Sequence, residues 1–160
     1  MPETPEPTGY VASFETAMRA ALEEAAAATA TGDVPVGAVV LGADGAEVAR
    51  GRNRREADGD PTAHAEIVAL RAAAAAAGGW RLDGMTLVVT LEPCTMCAGA
   101  LTAARIGRLV YGAADPRAGA VGSLWDVVRD QRLAPVPEVV TGTLSAQCLD
   151  LIRRFFRECR

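Results

Sequence analysis

The sequence predicts an α/β fold, with a mixed or largely parallel sheet and helices on both faces. Three observations carry this expectation. Short apolar runs of strand length alternate along the chain with longer segments of helical period. Clusters of Gly, Pro and Asp punctuate the boundaries between them. With 160 residues, 50% hydrophobic and 22% charged, the chain has the size and composition of one globular domain that can bury a core. There is no internal repeat. Residues 1–12 are expected to form a flexible N-terminal segment and residues 13–160 a single domain.

Taken in order, Ser13 to Ala30 predicts a helix, with Phe14, Met18, Ala21, Leu22 and Ala25 on one face and Thr31-Gly32-Asp33 as its stop. Val34 to Leu41 is an apolar run that ends at Gly42-Ala43-Asp44-Gly45, so a tight turn joins it to a second strand from about Ala46 to Gly51. Arg52 to Asp60 reads as a polar loop. Pro61-Thr62 then opens a second helix, which runs through an alanine block to Gly78-Gly79. Thr86 to Leu91 has the pattern of a buried strand. Pro93-Cys94 opens a third helix lasting to about Ala104, followed by a strand from Arg108 to Gly112. A Gly/Ala/Pro-punctuated loop leads to an expected short helix at Leu124 to Val128 and a fifth strand at Val136 to Thr141. A last helix, Ser145 to about Glu158, places Cys148, Leu151 or Ile152, Phe155 and Cys159 along one stripe. Trp80 and Trp125 are expected to be packing residues.

Composition narrows the function classes. No apolar run approaches the ~18 residues that span a bilayer. The Pro- and Glu-rich start has neither the basic opening nor the apolar stretch of a signal peptide, so a cytoplasmic protein is expected. Four cysteines are too few for a disulfide scaffold, which directs attention to metal binding or catalysis. The net charge of −4 hides an asymmetry: residues 105–160 carry 9 Arg against 6 acids, while residues 1–66 carry 5 against 12. All 16 basic residues are arginine. The basic C-terminal third offers Arg105, Arg117, Arg153, Arg154, Arg157 and Arg160 to a phosphate backbone, with Arg52, Arg54 and Arg55 from the earlier loop.

Two segments carry chemistry: Pro61-Thr62-Ala63-His64-Ala65-Glu66 and Leu91-Glu92-Pro93-Cys94-Thr95-Met96-Cys97. Each lies where the chain is expected to turn into a helix. Cys94 and Cys97 are one helical turn apart, so their sulfurs can converge, and the positive helix start favours the thiolates that a metal needs. His64, the only histidine, supplies a third ligand. Three protein ligands rather than four leave a position open for water, as catalytic zinc sites do. Zinc lowers the pKa of that water from about 15.7 to roughly 7. Glu66, two residues after His64, is placed to shuttle the water's proton. His-x-Glu followed by Pro-Cys-x-x-Cys is the zinc-deaminase signature. Glu92, beside the site, reads as fixing the strand-to-helix turn. Cys148 reads as core packing and Cys159 as an exposed or half-buried thiol.

From Val34 to the C-terminus, roughly four-fifths of its length, the chain resembles the bacterial tRNA adenosine deaminases of the TadA type, in the cytidine and deoxycytidylate deaminase superfamily. Besides the two motifs, the resemblance rests on Val34-Pro35-Val36-Gly37-Ala38-Val39, Gly51-Arg52-Asn53-Arg54, Ala104-Arg105-Ile106-Gly107-Arg108, Gly119-Ala120-Val121-Gly122-Ser123-Leu124 and Phe155-Phe156-Arg157. It implies a three-layer α/β/α sandwich with a five-stranded mixed sheet, acting as a homodimer. It also implies conversion of the wobble adenosine of a tRNA anticodon stem-loop to inosine. His64, Cys94 and Cys97 would hold one Zn2+ per chain, and Glu66 would be the catalytic proton shuttle through zinc-bound hydroxide. Asn53, Val36 and Ala65 match substrate-binding positions around the flipped nucleotide, and Asp115 and Phe156 match positions near its neighbours.

Two other readings share these residues. One is a deaminase of a free nucleobase, guanine or cytosine, with the same zinc site. The other is a zinc-stabilised RNA-binding protein without catalysis, against which Glu66 argues, because a structural site has no use for a carboxylate beside an open position.

Overall fold

The computed structural model describes residues 8–160. Its elements run α1 (Thr8–Ala28), β1 (Gly37–Leu41), β2 (Glu47–Arg52), α2 (Arg55–Asp58), α3 (Ala65–Ala77), β3 (Thr86–Leu91), α4 (Thr95–Ala103), β4 (Arg108–Ala113), β5 (Glu138–Thr141) and α5 (Ser145–Glu158). The five strands form one sheet in the order β2-β1-β3-β4-β5. β1 is antiparallel to both of its neighbours, while β3, β4 and β5 are parallel, so the sheet is mixed.

The inner strands show why they read as nearly continuous apolar runs: both of their faces are covered. Side chains alternate with period two. Ala38, Val40, Leu87, Val89, Leu109 and Tyr111 join one core, with Ala65, Ala69, Leu70 and Ala73 of α3 and Ala98 and Leu101 of α4. Val39, Leu41, Val88 and Val110 join the other, with Phe14, Met18 and Ala21 of α1 and Cys148 of α5. The result is three layers, α/β/α. Gly51 of β2 lies against α3 at the distance of main-chain contact, since a Cβ there would stand 2.6 Å from both Ala65 O and Ala69 N.

Several boundaries differ from the sequence reading, each for a local reason. The first helix begins at Thr8, ahead of the expected Ser13, so residues 8–12 of the expected flexible segment are helical and residues 1–7 lie outside the described residues. The helix expected to open at Pro61-Thr62 begins at Ala65. Asp60 Oδ1 accepts 2.8 Å bonds from both the backbone N–H and the hydroxyl of Thr62, which holds that segment in a turn. No helix forms at Leu124 to Val128. Val121 bridges Asp126 there, Gly122 N–H donates to Trp125 O at 2.8 Å, and Val127 N–H donates to Ala120 O at 2.9 Å, so that backbone is spent in a tight hairpin. Trp80 and Trp125, expected to be packing residues, are each 60% exposed. Cys148 is buried in the core and Cys159 is exposed, as read from the sequence. Among the described residues no helix is long and apolar enough to cross a membrane.

Candidate active site

His64 is the N-cap of α3 and Cys94 the N-cap of α4, both with extended backbone. Each sits at the last extended residue before a helix, so its side chain stands at the helix's positive end. Cys97 follows one turn into α4 and is fully buried. The Nδ1 of His64 lies 3.6 Å from Cys94 Sγ and 3.5 Å from Cys97 Sγ, and the three donor atoms lie within 4.8 Å of one another. A tetrahedral zinc ion, with bonds of about 2.3 Å to sulfur and about 2.0–2.1 Å to nitrogen, would hold each S···N pair about 3.6 Å apart. The donor set fits zinc in both chemistry and spacing, and three ligands leave a fourth position for water or substrate.

The charges around these donors are strongly shaped. The bond that Cys94 accepts from the Cys97 thiol holds the Cys94 thiol down to about 3; burial opposes this, while His64 and the Cys97 backbone N–H add to it. Donating that same bond pushes Cys97 up, as do burial and the negative charges of Glu66 and Cys94. His64 is raised by its bond to Cys94, with burial opposing and Glu66 assisting. Glu66 is 4% exposed, and burial pushes its carboxyl up to about 6 against the opposing effects of its own backbone N–H and His64. A carboxyl titrating near there can both accept and return a proton close to neutral pH.

A small cavity opens at this cluster, and a larger groove adjoins it. The cavity, of about 160 Å³, is lined by His64, Cys94 and Glu66 together with Val34, Val36, Asn53, Arg55, Ala65, Leu91, Glu92, Asp115 and Ala118. The groove, of about 700 Å³, shares Val34, Leu91 and Asp115 with it and continues past Arg117, Leu149, Ile152, Arg153, Phe156, Arg157 and Arg160.

The sequence-derived substrate residues therefore divide. Val36, Asn53 and Ala65 line the small pocket, Phe156 lines only the groove, and Asp115 stands at the junction. The Asn53 amide is engaged in the fold, donating to Val34 O at 3.1 Å and accepting from Arg55 N–H at 3.3 Å, which is the turn-building role open to any loop asparagine. Phe156 is half-exposed, and its ring packs edge-on against Phe155 with centroids 5.4 Å apart. Of the arginines considered for phosphate, Arg52, Arg54 and Arg154 are paired with Glu24, Asp58 and Asp150. Arg117, Arg153, Arg157 and Arg160 instead line the groove. Arg55 stands in the small pocket, not on a phosphate track. The signal available for it was its place one helix start away from His64, in a segment that reads as loop until the Asp33 carboxylate is seen accepting the N–H groups of Glu56 and Ala57.

Comparison with known proteins agrees with this geometry. Residues 12–113 match the cytidine and deoxycytidylate deaminase zinc-binding region. A tRNA-specific adenosine deaminase of Bacillus subtilis (strain 168) is 43% identical over 143 residues, covering 89% of this chain and 88% of that protein. A structure solved in a study of A-to-I editing by tRNA:A34 deaminases at the wobble position of transfer RNA matches with a TM-score of 0.82 at 44% identity, over 85% of this chain and 98% of the other. Guanine deaminase from Nitrosomonas europaea matches with a TM-score of 0.77 at 26% identity, over 97% and 96% of the two chains.

Proposed function

The chain belongs to the cytidine and deoxycytidylate deaminase family, and from that premise we propose that it hydrolyses the wobble adenosine of a tRNA anticodon to inosine. The observation that carries the substrate class is the junction of the two cavities. The pocket that holds the reactive cluster is sized for a base, and it opens at Asp115 into a groove more than large enough for flanking nucleotides. Arginines suit phosphate there and the exposed Phe156 ring suits a base face. A deaminase of a free base would have no use for the groove. The likeness to guanine deaminase, at 26% identity, is weaker support for that second reading than the 43–44% identity to the tRNA deaminases is for the first.

His64, Cys94 and Cys97 would hold the zinc ion, whose Lewis acidity would make water a nucleophile near neutral pH. Val36 and Ala65 shape the apolar walls against which the splayed base lies, and extrusion costs little because loop bases are only partly stacked. The Glu66 carboxylate takes a proton from the attacking water and delivers it to N1 of the purine. It then passes the second proton to the departing amine, so that water and adenosine leave as inosine and ammonia. Burial of Glu66, which lifts its pKa, keeps it able to work in both directions. The domain is the single deaminase unit of residues 13–160, acting in the cytoplasm as a homodimer. The half-open apolar hollow of Ile67, Leu70, Ala74 and Ala100 beside the exposed Trp80 supports that second copy.

The test is deamination of a synthetic anticodon stem-loop carrying adenosine at the wobble position, by the wild type and by Glu66→Ala, with zinc measured on both. Inosine from the wild type alone, with about one zinc per chain retained in both, is the expected result. A zinc-loaded, folded wild type that leaves the stem-loop unchanged and deaminates guanine would replace the tRNA assignment.

A further inference from the structure

Glu92 is buried to 2% exposure two residues before the first cysteine ligand, and among the described residues it forms no ion pair. Its carboxylate is satisfied instead by the loop that follows β4. Oε1 accepts the backbone N–H of Val121 at 3.0 Å and of Ser123 at 3.1 Å. Oε2 accepts the backbone N–H of Asp115 at 2.9 Å and the hydroxyl of Ser123. Four donors from a loop 23 to 31 residues away thus converge on one side chain. The main chain seals the same contact, because Ala120 N–H donates to Pro93 O at 2.8 Å and Gly119 bridges Cys94. Gly119 also leaves no space beside the carboxylate, since a Cβ there would stand 2.4 Å from Glu92 Oε2.

This loop carries Asp115 and Ala118, which line the small pocket, and Asp115 and Arg117, which line the groove. We propose that Glu92 is a positioning residue that ties the substrate-contacting loop at Asp115–Ser123 to the metal-ligand turn, fixing where flanking nucleotides lie relative to the reactive centre. The proposal rests on the tRNA reading for the identity of what the loop contacts, but not for the clamp itself. The chemistry demands a carboxylate. Each oxygen faces at least one backbone N–H that cannot reverse, so an amide in either orientation turns an NH2 group onto a donor.

The decisive variant is therefore Glu92→Gln, which keeps shape and removes one acceptor. Ser123→Ala is the milder companion, removing one donor while three backbone N–H groups remain. For Glu92→Gln, KM and Kd for the anticodon stem-loop should rise about tenfold or more, by a larger factor than kcat falls and with zinc content retained, because the loop's buried N–H groups lose an acceptor. Ser123→Ala should move the same constants in the same direction by less. A general loss of folded protein would lower kcat at unchanged KM, and that pattern would overturn the proposal, as would loss of zinc with intact binding constants.

Amide hydrogen exchange supplies the readout that needs no substrate. Protection at Asp115, Val121 and Ser123 should fall at least about tenfold in Glu92→Gln while β3 and β4 keep theirs. If the wild type proves inactive on tRNA, the exchange result still decides the clamp. Unchanged protection in both variants refutes it whatever the substrate.

Discussion

Gly51→Ala should break the active site from a position that touches none of its reactive atoms. Gly51 pairs with Ala38 across β1 and β2 and faces the first turns of α3. An alanine Cβ would stand 2.6 Å from Ala65 O, 2.6 Å from Ala69 N and 3.1 Å from Ala69 Cα. All three atoms are helix main chain, so no side chain can rotate away. To reach an ordinary 3.4 Å contact the helix must retreat by roughly 0.8 Å, or the strand must do so and disturb its pairing. Overpacking of this kind costs about 1–3 kcal/mol, and unyielding backbone puts this case near about 3. The retreating segment begins at His64 and carries Glu66, and a displacement near 1 Å at reacting groups costs on the order of a hundredfold in rate. Urea denaturation, zinc content and kcat/KM on the anticodon stem-loop measure the three consequences. Gly79→Ala, where a Cβ meets nothing within 4 Å, is the control and should stay within about 0.5 kcal/mol of wild type. Should Gly51→Ala match that control in stability and turn over like the wild type, the argument that α3 is held at main-chain contact is wrong.

Two further outcomes follow from other parts of the molecule. Asp33 is 1% exposed; burial alone would raise its pKa, but the Thr31 hydroxyl, the N–H groups of Glu56 and Ala57, and Arg54 outweigh that and hold it below the usual 3.8. The stability it contributes is complete above the unfolded value and is lost as pH falls through the lower folded one. Asp33→Asn should therefore cost about 1–3 kcal/mol at pH 7, and the gap in urea midpoints should close as the pH drops below about 4; a constant gap would refute the assignment. In the groove, replacing Arg153 and Arg157 together by alanine should weaken stem-loop binding and flatten the slope of log Kd against log salt by about 1.4, roughly 0.7 for each lost phosphate contact; an unchanged slope would remove these residues from the RNA path.

The parts of this molecule legible in its sequence are those fixed by local rules. β1 and β3 announced themselves because strands covered on both faces must be apolar throughout, and the five strands and the long helices fell near their observed places. The zinc donors were legible because metal chemistry restricts residue type and helical geometry restricts spacing, so His64, Cys94 and Cys97 converge as read. What was not legible depends on contacts distant in sequence. The segment at Leu124–Val128 has helical composition, but its backbone is committed to Gly119, Ala120 and Val121 in a hairpin. Trp80 and Trp125 look like packing residues by type, and only the assembled surface shows them outside. Glu92 was read as fixing the strand-to-helix turn, but its side-chain partners lie on a loop whose path no local pattern encodes.

Two residues without functional groups set the walls between which the chemistry takes place. Gly51 lets α3 approach the sheet at main-chain distance, and that approach buries Glu66. Burial then outweighs the attraction of His64 and lifts the carboxyl to about 6, where it can carry a proton in either direction. Gly119 lets the loop after β4 close on Glu92, which brings Asp115 to the mouth where the base pocket meets the groove. The donor cluster alone would activate water on any base that reached it. Specificity for a base within a strand requires that the mouth be fixed relative to the metal, and the turn at Glu92-Pro93-Cys94 contacts both the metal ligands and the loop. A change at either glycine therefore acts on a different quantity: Gly51 on the placing of His64 and Glu66 at the start of α3 and hence on kcat, Gly119 on the mouth and hence on KM.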